Sequence, residues 1–143
     1  MPIPAPAGYG HVRLTVTDIA RSRAFYEQVF GLPVAYEAPP EDADDATKQA
    51  LGFLFGGVIY AFGDGTLLGL RPVAPGTDSF DEDRVGLDHL AFQLTSRADL
   101  EAAVAVLDEL GVAHAGLKDL GAMAVVEFRD PDGVALELTA PSS

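Results

Sequence analysis

The chain is written twice, and that duplication limits the folds open to it more than any other property. His11-Val-Arg-Leu-Thr-Val-Thr17 alternates polar and apolar residues, runs into Asp18 to Phe30 and stops at Gly31. At an offset of 78 residues, His89-Leu-Ala-Phe-Gln-Leu-Thr95 does the same, runs into Ser96 to Leu110 and stops at Gly111. Val12, Leu14 and Val16 thus fall opposite Leu90, Phe92 and Leu94, and His11 and His89 hold equivalent places. A second match, Gly65-Thr-Leu-Leu-Gly-Leu70 over Gly133-Val-Ala-Leu-Glu-Leu138, comes at an offset of 68 residues. An extra acidic loop in the first half absorbs the difference, and Gly69 becomes the counterpart of Glu137.

Each half reads strand, helix, strand, strand, strand. In the first half Asp18 is expected to cap a helix with an apolar stripe of Ile19, Phe25, Tyr26, Val29 and Phe30, ended by Gly31. A strand near Pro33 to Glu37, an acidic loop over 38–47 and a hairpin pattern from Leu51 to Pro72, turning at Gly63-Asp-Gly65, follow. In the second half Ser96 and Asp99 resemble a capping box. Leu100, Ala103, Val104, Leu107 and Leu110 form the stripe, and Gly111 ends the helix. A strand near Val112 to Gly116, a break near Lys118 to Gly121 and a hairpin from Met123 to Ala140, turning at Asp130-Pro-Asp-Gly133, complete the copy. The expected division is a first module over 1–72, a solvated linker over 73–85 and a second module over 86–143.

Composition narrows the partners. A length of 143 residues suits one globular domain or two small fused modules with a shared core. The absence of cysteine excludes a disulfide framework and thiolate chemistry, so a metal would need nitrogen and oxygen ligands. Nine Lys plus Arg against 22 Asp plus Glu, a formal charge of −13, repel nucleic acid and anionic membrane surfaces. No apolar run approaches the length of a bilayer span, and Met1-Pro-Ile-Pro-Ala-Pro-Ala7 lacks the pattern of a secretory signal. A soluble cytoplasmic protein is expected.

Strand alternation places His11, Arg13 and Thr15 on one face and Val12, Leu14 and Val16 on the other. In the same way His89, Ala91 and Gln93, with Ala135, Glu137 and Thr139, face away from the helix-covered core. Two imidazoles and one carboxylate suffice for a divalent cation such as Zn²⁺, Fe²⁺, Mn²⁺ or Ni²⁺, with positions left for water or substrate. Such a cation would acidify bound water or polarise a chelating substrate. Glu127, on the strand beside Glu137, is a candidate general base, although an exposed strand residue reads the same way. His114 is another candidate, with an alternative reading as a structural residue near a strand end. Arg13, Arg71 and Gln93 share the polar faces and are expected substrate contacts.

Three segments carry a family resemblance: His11-Val-Arg-Leu-Thr-Val-Thr-Asp with Phe25-Tyr26 and Gly31-Leu32, Gly86-Leu-Asp-His-Leu-Ala-Phe92, and Phe128-Arg-Asp-Pro-Asp-Gly-Val-Ala-Leu-Glu-Leu138. The chain resembles the vicinal oxygen chelate superfamily, also called the glyoxalase, bleomycin resistance and extradiol dioxygenase family. The resemblance implies an α+β fold of duplicated βαβββ modules, whose curled, mostly antiparallel sheets form a cup around a metal, commonly within a homodimer that shares or exchanges modules. By position it implies His11, His89 and Glu137 as metal ligands, with Glu137 catalytic as well as ligating.

The branches of the family differ in what they would require. Lactoylglutathione lyases use a further acidic or amide side chain where this chain has Gly69, which disfavours that activity. Fosfomycin-modifying members need a cationic cluster, to which Arg13 and Arg71 would contribute. Ring-cleaving dioxygenases use the same two-His, one-carboxylate set with Fe²⁺. The resulting expectation is a metal-dependent lyase or isomerase, dioxygenase or transferase acting on a small substrate that chelates the metal through vicinal oxygens. The alternative is a metal-free, bleomycin-resistance-type protein that sequesters a cationic drug, for which the acidity and the aromatic residues Phe53, Phe55, Tyr60 and Phe62 offer support.

Overall fold

The computed structural model describes residues 1–143, which divide into two compact units. One comprises residues 1–23 and 31–77, the other residues 24–30 and 78–143. The chain is α+β, with one four-stranded mixed sheet in each unit.

The first unit holds β1 (His11–Thr15), β2 (Val34–Glu37), β3 (Val58–Ala61) and β4 (Leu67–Arg71). Its sheet runs β1-β4-β3-β2, with β1 parallel to β4 and the other pairs antiparallel. Leu14, Val16, Val58, Tyr60, Leu68 and Leu70 are buried on one face, as the period-2 pattern of their strands dictates. Gly57, just ahead of β3, permits a close backbone approach, since a Cβ there would lie 1.9 Å from the Leu70 carbonyl oxygen.

Between β2 and β3 the structure departs from the expected loop and long hairpin. The acidic stretch folds at its end into α2 (Asp45–Ala50), and the Asp44 carboxylate accepts from Thr47 N at 2.6 Å as its N-cap. A 3₁₀ turn (Gly52–Leu54) follows at once, so the hairpin proper begins only at Val58. The segment Asp-Ala-Thr-Lys-Gln-Ala holds good helix formers behind a strong cap, and this local preference outweighs the acidic composition that suggested a loop.

The helix α1 (Ile19–Phe30) begins as expected, with Asp18 Oδ1 accepting from Arg21 N at 3.0 Å, and Gly31 at φ +59° ends it. Its residues 24–30 belong to the second unit, where Phe30 lies 4.5 Å from Phe92 and Phe25 lies 6.4 Å from Phe128, centroid to centroid.

The second unit holds β5 (Leu90–Gln93), α3 (Arg97–Glu109), β6 (His114–Asp119), β7 (Met123–Arg129) and β8 (Ala135–Pro141). Its sheet order is β5-β8-β7-β6, with β5 parallel to β8, the topology of the first unit again. Ser96 caps α3 by accepting from Asp99 N, and Leu100 and Leu107 are its buried residues. Strand β6 runs through the expected break at Lys118 and ends at Asp119, because Gly116 at φ +79° and an irregularity in register between His114 and Leu117 let the pairing with β7 resume.

The turn joining β7 to β8 is built around one buried carboxyl group. Asp130 Oδ1 accepts from Asp132 N at 2.9 Å and Val134 N at 2.8 Å, and Asp130 Oδ2 accepts from the Tyr26 hydroxyl at 2.9 Å. The same side chain therefore shapes the hairpin and anchors the C-terminal part of α1. Burial is the main cause pushing the Asp130 carboxyl above its ordinary value, and these hydrogen bonds oppose it in part. Asp130→Ala is expected to lower the unfolding free energy in urea by about 3 kcal/mol, because buried donors lose their acceptor. A carboxyl with a raised native pKa holds its proton where the unfolded chain has released it, so its contribution to stability falls as pH rises from about 3.8 through the native value. The stability of D130N relative to the parent should accordingly increase with pH across that window, measured by urea unfolding at a series of pH values.

Candidate functional site

The second sheet turns an acidic face into a cleft of about 450 Å³. His89, Glu137, Glu127, His114, Asp88 and Arg129 are among its lining residues. In register, Ala91 pairs with Glu137 and Glu137 with Glu127, so two carboxylates stand side by side on the open face of β8 and β7. His89 lies one residue before β5, and its Nδ1 contacts Asp88 Oδ1. With Asp88 ionised, Nδ1 carries the proton in the neutral imidazole, which leaves Nε2 as the atom with a free lone pair. The bond to Asp88 is the main cause raising the His89 pKa; burial opposes it, and the Glu137 and Glu127 charges add to it.

Glu127 is paired with Lys118, whose Nζ donates to Oε2 at 2.6 Å, and this contact is the first cause holding the carboxyl below its ordinary value. As a proton acceptor it is thus ionised but weakened. His114 is held at both nitrogens: Nδ1 accepts from Gly116 N at 3.0 Å and Nε2 lies 2.8 Å from Asp108 Oδ1. With no nitrogen left over, His114 stabilises the start of β6 and is unsuited to act as a base. Arg129 pairs with Glu82 in the wall of the cleft and holds that carboxyl at about 2. Gln93, at the end of β5 opposite Thr139, is exposed.

The first sheet presents a different face. His11 opens β1, exposed and in register with Leu67. Two residues on, Arg13, Gly69, Ile59 and Tyr36 form one row across four strands, since Arg13 pairs with Gly69, Gly69 with Ile59 and Ile59 with Tyr36. Gly69 stands where the second sheet has Glu137, and Arg13 where it has Ala91. A Cβ at Gly69 would lie 2.9 Å from Arg13 Cγ, so the arginine side chain occupies the space a ligating side chain would take. Arg71 lies on the same face, and its guanidinium carbon is 4.3 Å from the centre of the Phe55 ring, with that of Arg13 at 6.0 Å. Of the aromatic residues expected to line a drug-binding cleft, Phe53 and Phe55 are exposed, whereas Tyr60 is buried in the core.

Histidine and carboxylate oxygens are the donors a divalent cation requires, and His89 with Glu137 fit one. No group of three or more His, Asp or Glu within the chain is placed to hold a metal. Sequence reasoning missed Asp88. Alternation would put it on the opposite face from its neighbour His89, but both residues precede β5 and escape that rule.

The family model of the Glyoxalase/Bleomycin resistance protein/Dioxygenase superfamily matches residues 8–138, and the chain belongs to that superfamily. No curated protein matches it. Among solved structures, a glyoxylase/bleomycin resistance protein/dioxygenase domain from Frankia sp. EAN1pec is 27% identical with a TM-score of 0.76, over 97% of this chain and 95% of that one. A mutant of the fosfomycin resistance protein FosX from Listeria monocytogenes, complexed with Mn(II) and 1S,2S-dihydroxypropylphosphonic acid, is 19% identical with a TM-score of 0.69, over 96% and 95% of the two chains. A lactoylglutathione lyase from Agrobacterium tumefaciens is 21% identical with a TM-score of 0.69, over 95% of each chain. The last two likenesses concern the fold. No helix is long and apolar enough to cross a membrane.

A structural role for His114 has a direct check. His114→Ala removes two hydrogen bonds from a side chain that is 13% exposed, and is expected to lower stability by about 1–2 kcal/mol in urea unfolding.

Proposed function

We propose that the protein is a divalent-metal-dependent enzyme acting on a small substrate that chelates the metal through vicinal oxygens. The observation that carries this reading is the Asp88, His89 and Glu137 arrangement: a carboxylate orients the imidazole and directs Nε2 away from it, beside a second carboxylate in one cleft. His89, Glu137 and His11 are the proposed ligands. His11 joins them from a second copy in a homodimer, since no three such residues of one chain are placed together. When bound, the cation would polarise a substrate oxygen or acidify water.

The chain's own residues then divide the remaining work. Glu137 holds charge at the floor of the cleft, while Glu127, kept ionised by Lys118, is the proposed proton acceptor. Proton transfer would require it to loosen its contact with Lys118, which makes that pair a natural control on its basicity. Arg13, Arg71 and Gln93 are the proposed substrate contacts. The FosX complex with Mn(II) and a dihydroxypropylphosphonic acid supports a metal and a small oxygenated ligand on this fold. Gly69 argues against lactoylglutathione lyase activity, because its place is filled by Arg13. Metal-free capture of a cationic drug has less support, since the Phe55 ring already faces two guanidinium groups and Tyr60 lies in the core.

Untagged protein should bind one divalent cation per site in equilibrium dialysis with Mn²⁺, Zn²⁺, Ni²⁺ or Fe²⁺. His89→Ala and Glu137→Gln should each abolish binding, and Asp88→Asn should weaken it about 10–100-fold through loss of the orienting bond. Absence of stoichiometric metal in the parent protein would sink the reading.

A further inference from the structure

We infer that the open face of the first sheet is an oxyanion subsite, with Arg13 and Arg71 reading a carboxylate or phosphate and Phe55 covering the apolar or aromatic body that carries it. In a chain with 22 Asp and Glu residues, the arginines at 23, 84, 97 and 129 all pair with carboxylates. Arg13 and Arg71 form no ion pair, yet they converge on one ring.

Arg13 makes the case for a ligand. Its Nε and one terminal nitrogen are buried without any hydrogen-bond partner. Leaving charged donors desolvated and unmatched is unfavourable, so a native structure that keeps them needs an acceptor from outside. Gly69 is the structural condition for this placement, because any side chain there would collide with Arg13 Cγ.

Phe55 supplies an independent sign. At φ +52° it is the one residue other than glycine in the left-handed region, a strained conformation for a side chain of this size. The strain presents a ring that is 55% exposed against both guanidinium groups. Tyr36 and Phe53, 6.2 Å apart edge to face, extend the aromatic surface. Planar guanidinium donors match the two oxygens of a carboxylate or phosphate, and the exposed rings suit an apolar or aromatic substituent. As a statement of substrate class this rests on the proposed enzyme function; as a binding site it involves no metal ligand.

Calorimetry on EDTA-treated full-length protein with phenyl phosphate, benzoate and inorganic phosphate tests it. Phenyl phosphate and benzoate should bind, and inorganic phosphate should compete with them. Arg13→Met and Arg71→Met should each weaken binding at least about tenfold, as expected for loss of a charge-assisted contact. Gly69→Ala should do so by displacing Arg13. Phe55→Gly relieves the left-handed strain, so it should fold at least as well as the parent, yet it should bind phenyl phosphate no better than inorganic phosphate. Anion binding unchanged in both arginine variants, or none in the parent, overturns the inference. So does a dimer that dissociates when phosphate is added, since that would assign the guanidinium groups to a carboxylate of a second copy. Mn²⁺ dialysis beside the calorimetry separates the two readings: a parent that binds Mn²⁺ but no anion leaves the enzyme reading standing, and a parent that binds no Mn²⁺ but an anion that R13M and R71M lose leaves the anion subsite standing.

Discussion

The parallel pairing of each module's first strand with its last is the constraint on which the rest of the structure depends. An antiparallel hairpin assembles itself from local turns, but β1 reaches β4 only across two helices and two strands, and β5 reaches β8 only across one helix and two strands. That closure fixes the register in which Arg13 meets Gly69 and Ala91 meets Glu137. A slip of one residue would send both rows into the core and bring Leu14 or Phe92 to the open face. The arrangement of candidate functional groups is therefore a consequence of strand pairing.

On this common frame the two copies have diverged in charge. The second sheet carries Glu137 and Glu127 side by side, with His89 oriented by Asp88. The first carries Gly69 and Ile59 at the matching places; Arg13 fills the room thus opened, and Arg71 stands over the Phe55 ring on the same face. The open face of the second sheet is thus acidic where that of the first is cationic.

Much of the architecture was legible because it rests on local signals. The caps at Asp18 and Ser96, the helix ends at Gly31 and Gly111 and the strand alternation are short-range patterns, and each appears where the pattern put it. The second module's hairpin was equally clear, although the reason for its Asp130-Pro-Asp-Gly133 turn was not. Asp130 receives the Tyr26 hydroxyl from a helix more than a hundred positions earlier in the chain, a contact no window of sequence contains. Helix α2 was missed because acidic composition was weighed above the cap at Asp44. The continuation of β6 was missed because the strand was ended at Gly116 and a break placed near Lys118 to Gly121, whereas the strand bends at Gly116 and pairs again as far as Asp119.

The sequence alone determined the duplication, the equivalence of His11 with His89 and of Gly69 with Glu137, and the faces on which these residues stand, because period and repeat are properties of the order of residues. Tertiary structure decided which of those residues have partners. It engaged both nitrogens of His114, tied Glu127 to Lys118, set Asp88 on His89 and left two buried nitrogens of Arg13 without an acceptor. Hydrogen bonding and burial depend on groups brought together from distant positions in the chain. The chemical state of a side chain is settled only when the strands have closed around it.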